Sequence, residues 1–594
     1  MLAWYFKHSR IRLGHSLGFS HKGPGNLKII RNNIPAKEWR FRPAPPAGFS
    51  SAIGFSEIQA RLLYNRGLID LDHALAFLAG DERLSHDPFL LPDMASAVAC
   101  LREAIDLHEG IAVFGDFDAD GLTGTAIIVM ALSELGARVV PYLPNRVSEG
   151  HGLNPIALGS IRGQGVSTMV TVDCGTNSFD EISFGNALGL ETIVTDHHSI
   201  SGTLPEAVAI VNPKRSGSGY PYLELTGAGL AYKLVEALCL DMGRPRPEHL
   251  LEIAAIGTVA DVGKLTGENR YIVKKGLEYL NSTEHHGLKA LIKRIGLSND
   301  TIDSGNLSFN LVPRLNASGR IGDANISLEL LTSKTRKEAE DLAEQLELAN
   351  QARRKMSELA FTQAMDQVEL ENSAKEPVIF VGHKEWHPGI LGLVAGRLSE
   401  YYQRPVIALA MGTEISRASV RSIPEVDVIE ALDMSKNRLV RYGGHSAAAG
   451  FTIYTQELPV LKSDLVGFIG TRLDIRDIKP AVDIDLEVPP KDLDGRNFEF
   501  IKSLGPFGEG NPDPVFLTRH MHISESRRVG RDGAHLIMWL VHDAKMWEAI
   551  AFKQGHSFAP SGGVVDVIYN IGLNEWGGIP KLELKVIDFQ TVSS

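Results

Sequence analysis

The stretch Ile111-Ala112-Val113-Phe114-Gly115-Asp116-Phe117-Asp118-Ala119-Asp120-Gly121 sets a short apolar run directly before three alternating carboxylates. A run of this length between Gly and Asp signals reads as a buried strand. The pattern returns twice. Met169 to Val172 runs into Asp173-Cys174-Gly175, and Thr192 to Thr195 runs into Asp196-His197-His198. In an open parallel sheet, ligands bind just beyond the carboxyl ends of the strands. Three strands that end in acids therefore aim carboxylates and imidazoles at one crevice. A fourth acid, Asp261, follows the apolar segment Leu250 to Val259. That segment reads as a buried helix bringing its carboxylate in from outside the sheet.

Acids clustered this closely repel one another, and a bound cation removes that cost. Many hard oxygen donors with a few imidazoles suit Mn²⁺ or Mg²⁺. The cysteines are Cys100, Cys174 and Cys239, too sparse for a thiolate zinc site or a disulfide framework. The simplest chemistry is that of a two-metal phosphoesterase. Each motif also has a plain structural reading, as an acidic turn, a helix cap or a polar histidine. Taken together, those readings need four coincidences.

At 594 residues the chain is too long for one core. Its net charge of −12 argues against a protein coated in basic residues, while a local basic groove remains compatible with it. The cysteine usage fits a reducing cytoplasm, and no apolar run approaches a membrane span. Residues 1–44 hold nine Lys and Arg against one acid, Glu38. They read as a poorly ordered basic tail, with a transit peptide or an upstream start as alternatives.

Leu62 to Leu101 looks helical. After β-like Ile111 to Phe114, a helix capped by Thr123 is expected to run to Leu135. Strands are expected at Arg138 to Leu143, Glu191 to Asp196 and Ala207 to Val211, with helices from Pro155 and over Phe179 to Leu188. This alternation implies a parallel sheet covered by helices on both faces. Lys334 to about Leu370 lacks Gly and Pro and repeats at helical spacing, so it reads as one long helix joining two lobes. A second α/β region begins near Pro377, with strands at Val378 to Val381 and Pro405 to Ala410. From Ala481 the pattern changes to short strands, among them Val564 to Gly572 and Lys581 to Phe589, suggesting an OB-like barrel.

The four motifs, in this order, resemble those of the DHH phosphoesterase superfamily. The match runs through Gly115 to Gly121, Asp173-Cys174-Gly175, Asp196-His197-His198 and Gly257-Thr258-Val259-Ala260-Asp261. Asn145-Arg146, Glu149 to Leu153, Pro313 to Ala317, Glu385 to Ile390, Arg421 to Pro424, Gly443 to Gly450 and Leu504 to Pro512 resemble one branch, the bacterial RecJ single-strand-specific exonucleases. The resemblance covers residue 45 to the end. It implies a parallel-sheet DHH domain (45–333, with an N-terminal helical part), a connecting helix (334–375), a DHH-associated α/β domain (376–475) and an OB-like domain (476–594).

It further implies degradation of single-stranded DNA from the 5′ end to nucleoside 5′-monophosphates, in repair and recombination, with two Mn²⁺ or Mg²⁺ ions. The metal set would be Asp116, Asp118, Asp120, Asp173, His197 and Asp261, with Asp173 bridging. Asp173, His197 and His198 would carry catalysis. Arg146, Arg314, Arg421, Gly443, Gly444 and His445 would hold phosphates. Other roles stay open: Arg146 and Arg314 as surface ion pairs, Arg421 paired with Glu425, and Gly443-Gly444 as a tight turn before an Ala-rich helix. Arg527, Arg528, Arg531 and Lys545 are candidates for a DNA track on the barrel. A helicase and a single-strand-binding protein are the expected partners of a monomer. The rival readings are a DHH enzyme acting on short RNA or nucleotide phosphates, and a non-catalytic replication scaffold.

Overall fold

The computed structural model describes residues 37–298, 301–472, 480–530, 533–557, 561–574 and 580–592. Most of the expected N-terminal tail lies outside these residues. Its last part is not a tail. Strand β1 (Glu38–Phe41) pairs in parallel with Ala481–Ile484, and the Trp39 indole donates to Asp588 at 3.0 Å. Basic composition carries no sign of this, because the partner strand lies far along the chain.

Strands β2 (Gly110–Gly115), β3 (Arg138–Tyr142), β4 (Val166–Val172), β5 (Glu191–Thr195) and β6 (Ala209–Val211) form a parallel sheet in the order β3-β2-β4-β5-β6. Val113, Val170 and Ile193 join one core with the helices Ala119–Glu134, Gly227–Asp241 and Leu251–Ala260. Ala112, Met169 and Val194 pack on the opposite side with the helix Pro155–Gly163. Burial on both faces explains why β2 and β4 read as continuous apolar runs. The strand order sets β2, β4 and β5 side by side, so their terminal acids are neighbours.

One helix start differs from expectation. It falls at Ala119, not at Thr123, because the Asp118 side chain caps it and accepts the amides of Asp120 and Gly121 at 3.0 and 3.3 Å. Thr123 lies inside the helix and donates its hydroxyl to the Ala119 carbonyl.

The connecting helix spans Arg336–Leu370. Ala339, Leu342 and Leu346 enter the first lobe's core, while Ala360, Ala364 and Val368 enter the second's. It is therefore a strut with one face buried in each lobe. The second sheet comprises β7 (Ile379–His383), β8 (Val406–Ala410), β9 (Ile415–Arg421), β10 (Leu439–His445) and β11 (Ala448–Tyr454), ordered β10-β11-β9-β8-β7. The Gly443-Gly444 pair and the Ala run form a β10–β11 hairpin, not a turn before a helix. Gly444 has φ 143° and faces Ala449, where any Cβ would overlap the Ala448 carbonyl.

Strands β12 (Ala481–Ile484) and β13 (Leu486–Glu487) lead into β14 (Phe516–Val529), β15 (His535–His542), β16 (Lys545–Ala551), β17 (Val564–Asn574) and β18 (Lys581–Thr591). The last five close into a barrel through the β14–β17 pairing. The helices Glu57–Tyr64 and Leu71–Ala79 pack on this barrel: Leu62, Leu63 and Phe77 share a core with Leu536, Met538 and Tyr569. The sequence reading grouped them with the first lobe. Apolar spacing shows which helix face is buried, but not against what. Truncation at Ala481 would strip these helices of their partner, so the barrel has a folding role as well.

Candidate metal centre

The hydrogen-bond ladder of the first sheet continues one residue past each strand. Asp116, Asp173 and Asp196 donate their amides to Val172, Thr195 and Val211 at 3.2, 3.0 and 3.2 Å. The acids are thus held in register by the sheet itself. Donor atoms of Asp116, Asp118 and Asp173 lie within 4.8 Å of one another, as do those of Asp120, His197 and Asp261, and those of Asp173, His197 and His198. Asp173 and His197 each belong to two groups. Asp173 adopts φ 61°, a left-handed conformation that Asp tolerates better than most residues and that recurs at functional sites.

Asp120 is fixed by the N-terminus of the helix Gly227–Asp241, accepting the amides of Gly227 and Ala228 at 2.7 and 2.8 Å. A carboxylate is favoured there by the helix dipole. Gly227 permits this approach: a Cβ on it would sit 2.7 Å from that of Asp173. His197 Nε2 lies 3.0 Å from Asp173, 3.7 Å from Asp261 and 3.9 Å from Asp120. His198 is held differently. Its Nδ1 meets Asp196 at 2.7 Å, while buried Asp196 also accepts the His198 and Thr176 amides. Buried Asn212 donates to the His198 carbonyl at 3.0 Å. Asp196 therefore orients the ring and leaves Nε2 for a substrate.

Asp196 and Asn212 received no role from sequence. For Asp196 the strand-end position was the available signal; for Asn212 there was none. His151, quoted in a motif but assigned nothing, has its Nδ1 3.2 Å from Asp116, with its ring 4.3 Å from that of Phe117.

Burial, reinforced by neighbouring carboxylates, pushes Asp173 and Asp120 well above the usual carboxylate range. The same causes raise Asp118, and take Asp261 to about 6. Burial, helped by the adjacent His198, lowers His197 to about 3. The hydrogen bond to Asp196 raises His198. Burial opposes ionisation of Asp196, but the contacts with His198 and Thr176 outweigh it and hold that carboxyl below its ordinary range. The Asp116 Oδ1 atom is buried with no hydrogen-bond partner. An orphaned carboxylate oxygen beside mutually repelling acids and a neutral imidazole fits hard divalent cations.

A pH-dependent metal response follows. The four raised carboxylates bind protons more tightly folded than unfolded. In metal-free protein their stabilisation is full below 3.8 and is lost as pH rises through the folded values, about 6 for Asp261. His197, lowered from 6.5 to about 3, acts in the opposite direction as pH falls, one group against four. Protons and cations compete for the same oxygens. Saturating Mn²⁺ should therefore raise Tm more at pH 8 than at pH 5.5; at a hundredfold excess over Kd, one bound ion adds about 2.7 kcal/mol of stability. Equal gains at both pH values in thermal melts would refute this.

The arginines divide. The Arg146 guanidinium lies 4.0 Å from the Phe117 ring centroid, and its Nε has no partner. Arg421 donates to Ser419 Oγ at 3.3 Å and to the Val420 carbonyl at 2.8 Å. Among the described residues no carboxylate pairs with it, so the Glu425 alternative is not formed. At the β10–β11 hairpin, the His445 ring lies parallel to that of His198, centroids 6.2 Å apart. The second lobe thus reaches over the acids, and Arg417 ties it to the Val147 carbonyl at 3.1 Å.

Arg314 does not join them. It donates to Glu347 at 2.6 Å and to the Asn310 carbonyl, which makes it a structural ion pair in this geometry. Another face of its helix, Val312–Ile321, meets the acid loop, where Asn316 accepts the Ala119 amide at 3.0 Å. On the barrel, Arg527 lies 5.0 Å from the Trp539 ring centroid, while Lys545 pairs with Asp494 at 3.1 Å and lies over Trp547. Arg531 is outside the described residues.

Comparison with known proteins agrees with this geometry. The N-terminal domain of the DHH family matches residues 110–258, the DHHA1 domain residues 375–471 and the RecJ OB domain residues 484–588. The single-stranded-DNA-specific exonuclease RecJ of Bacillus subtilis is 35% identical over 534 residues, covering 89% of this chain and 67% of that protein. The crystal structure of RecJ from Thermus thermophilus in complex with Mn²⁺ superposes with a TM-score of 0.81 at 32% identity, covering 94% of this chain and 80% of that one. Its Mg²⁺ complex gives 0.75 at 30% identity, covering 94% and 79%.

Proposed function

The chain belongs to the RecJ family of single-stranded-DNA-specific exonucleases, and from that membership we propose that it shortens single strands from the 5′ end, releasing nucleoside 5′-monophosphates. It is a metal-dependent exonuclease acting on single-stranded DNA, with Mn²⁺ or Mg²⁺ as cofactor. Asp116, Asp118 and Asp173 would hold one ion, and Asp120, His197 and Asp261 the other, with Asp173 between them. A pair of such ions supplies charge neutralisation and water activation at a phosphodiester.

The remaining residues act directly on the strand. Asp196 orients the His198 ring and favours its protonated form, in which Nε2–H can donate to the scissile phosphate or to the departing 3′ oxygen. Arg146, Arg421 and His445 supply positive charge and donors around the same phosphate. The carrying observation is the convergence of three donor groups beyond β2, β4 and β5 under the hairpin of the second lobe. An oligonucleotide labelled at either end, incubated with Mn²⁺, tests the polarity. Early release of the 5′-terminal mononucleotide is expected; release from the 3′ end, or cleavage of only very short oligomers, would overturn it.

A helicase to open duplex and a single-strand-binding protein are the partners such a reaction calls for, and the chain would work as a cytoplasmic monomer. No described helix is long and apolar enough to cross a membrane. The intact acids favour an enzyme over a scaffold.

Arg421 offers a separate test. Arg421→Ala should raise KM for single strands and flatten the salt dependence of binding by about 0.7 log units per log unit of salt, one phosphate contact. Metal affinity should stay as it was. A lower Tm with an unchanged salt slope would assign Arg421 a structural role only.

A further inference from the structure

Resting on the reading of these acids as a two-ion centre, we infer that His151 is a positioning residue for the first ion's donor set. It fixes the Asp116 carboxylate by a hydrogen bond to one oxygen and so aims the other at the cation. His151 Nδ1 lies 3.2 Å from Asp116 Oδ2. The second oxygen, Oδ1, is buried without a partner. The terminal torsion of Asp is soft, so an oxygen held on one side decides where the other points. An ionised carboxylate only accepts, so Nδ1 carries the proton of this bond. Among the described residues, Asp116, Asp118 and Asp173 bring donor atoms within 4.8 Å of one another, and His151 belongs neither to that group nor to the other two. It meets the donor set at Asp116, which suits a residue that holds a ligand better than one that is a ligand. Groups that hydrogen-bond to metal-binding side chains from behind set the orientation and basicity of those ligands.

The His151 side chain is 64% exposed, yet the turn that carries it is fixed at both ends. Before it, the Glu149 carboxylate accepts the Tyr142 hydroxyl at 2.8 Å and the Asn145 amide at 2.9 Å, and Asn145 Oδ1 accepts the Val147 and Ser148 amides at 3.0 and 3.1 Å. Tyr142 in turn stacks on Phe114, ring centroids 5.4 Å apart, in the strand that runs into Asp116. After it, Leu153 is buried in the core on that side of the sheet, and Asn154 caps the helix Pro155–Gly163. The second lobe meets the same turn, with Arg417 on the Val147 carbonyl. An exposed imidazole on a loose loop would gain little from an acid, because ordering it costs as much as the contact returns. Here the backbone on both sides and the Phe117 ring, 4.3 Å from the imidazole, have already ordered it over one carboxylate. Glu149-Gly150-His151-Gly152 stood out as a motif, but nothing in its spacing says which acid the imidazole meets.

The test is calorimetric titration of the full chain, stripped with EDTA and dialysed, with Mn²⁺. Beside it, fluorescence anisotropy follows a 3′-labelled twelve-residue oligothymidylate binding in EDTA. The wild type should take up two ions. His151→Ala should weaken one of them by about tenfold or more, the range for losing a group that supports a metal ligand, and the other by less. His151→Asn, whose side-chain amide can donate from the place of Nδ1, should recover most of that loss. At subsaturating Mn²⁺ kcat should fall with the affinity, while KM for the oligomer and its binding in EDTA stay as in the wild type. Equal Mn²⁺ affinities in wild type and His151→Ala would overturn the assignment. So would weaker oligomer binding in EDTA with both ions bound normally, which would place the imidazole on the strand instead. A loss in His151→Ala that His151→Asn does not recover would also overturn it, because the hydrogen bond would not be the cause. A wild-type chain that binds fewer than two ions would sink the two-ion reading on which this role rests.

Discussion

Asp173→Asn should lower kcat by about a thousandfold, or about 4 kcal/mol of barrier, while the protein stays folded. Asn keeps the size of the side chain and tolerates the φ of 61° at this position, whereas Ala would add backbone strain to the loss of the carboxylate. The backbone bond to Thr195 survives the change. What disappears is the negative charge shared by two donor groups. Burial already makes that charge costly in metal-free protein, so the apo Tm should hold or rise. The Mn²⁺-induced gain in Tm should shrink. Calorimetry that still counts two ions, together with a near-normal kcat, would remove Asp173 from the bridging position.

Arg270→Met should cost about 3–5 kcal/mol of stability, the range for breaking a buried charged network from one side. Arg270 is fully buried and donates to the carbonyls of Phe77, Leu504, Ser503 and Gly505 at 2.6, 2.9, 3.2 and 2.7 Å. Its guanidinium also lies 3.6 Å from the Phe77 ring centroid. Burial lowers its pKa to about 9, and the four carbonyl oxygens offset that cost. Met fills much of the volume but leaves the acceptors without donors. The helix Gly267–Asn281, the N-terminal helices and the entry to the barrel are joined at this one side chain. Calorimetry should show a lower Tm or a barrel transition separating from the rest. A change below about 1 kcal/mol would mean that water replaces the guanidinium without loss.

The parallel sheet was legible because its strands are buried on both faces, which turns them into uninterrupted apolar runs closed by Asp or Gly. The connecting helix was legible for the opposite reason, a long stretch of helical spacing without Gly or Pro. The N-terminal helices illustrate the limit. Their helical character was readable from Leu62 onward, yet they bury against the barrel, which follows several hundred residues later. β1 is a harder case, since a four-residue edge strand has no periodicity to detect until its partner is in place.

The donor set shows the same division residue by residue. Strand-end position is a local property, so Asp116, Asp173 and His197 could be named from sequence, and the end of an apolar helix singled out Asp261. Sequence alone thus determined the element order of the first sheet, the acids at its edge and the class of ion they can hold. Tertiary structure decided everything that depends on direction. It turned Arg314 toward Glu347 and Asn316 toward the acid loop, on one helix. It assigned Asp196 to His198, placed Asn212 beneath that histidine and brought His445 from the other lobe. The physical reason is that periodicity specifies which residues share a face, while the partner of that face is chosen only when distant segments compete to bury it. Unpaired charges remain where a ligand is to complete the pairing.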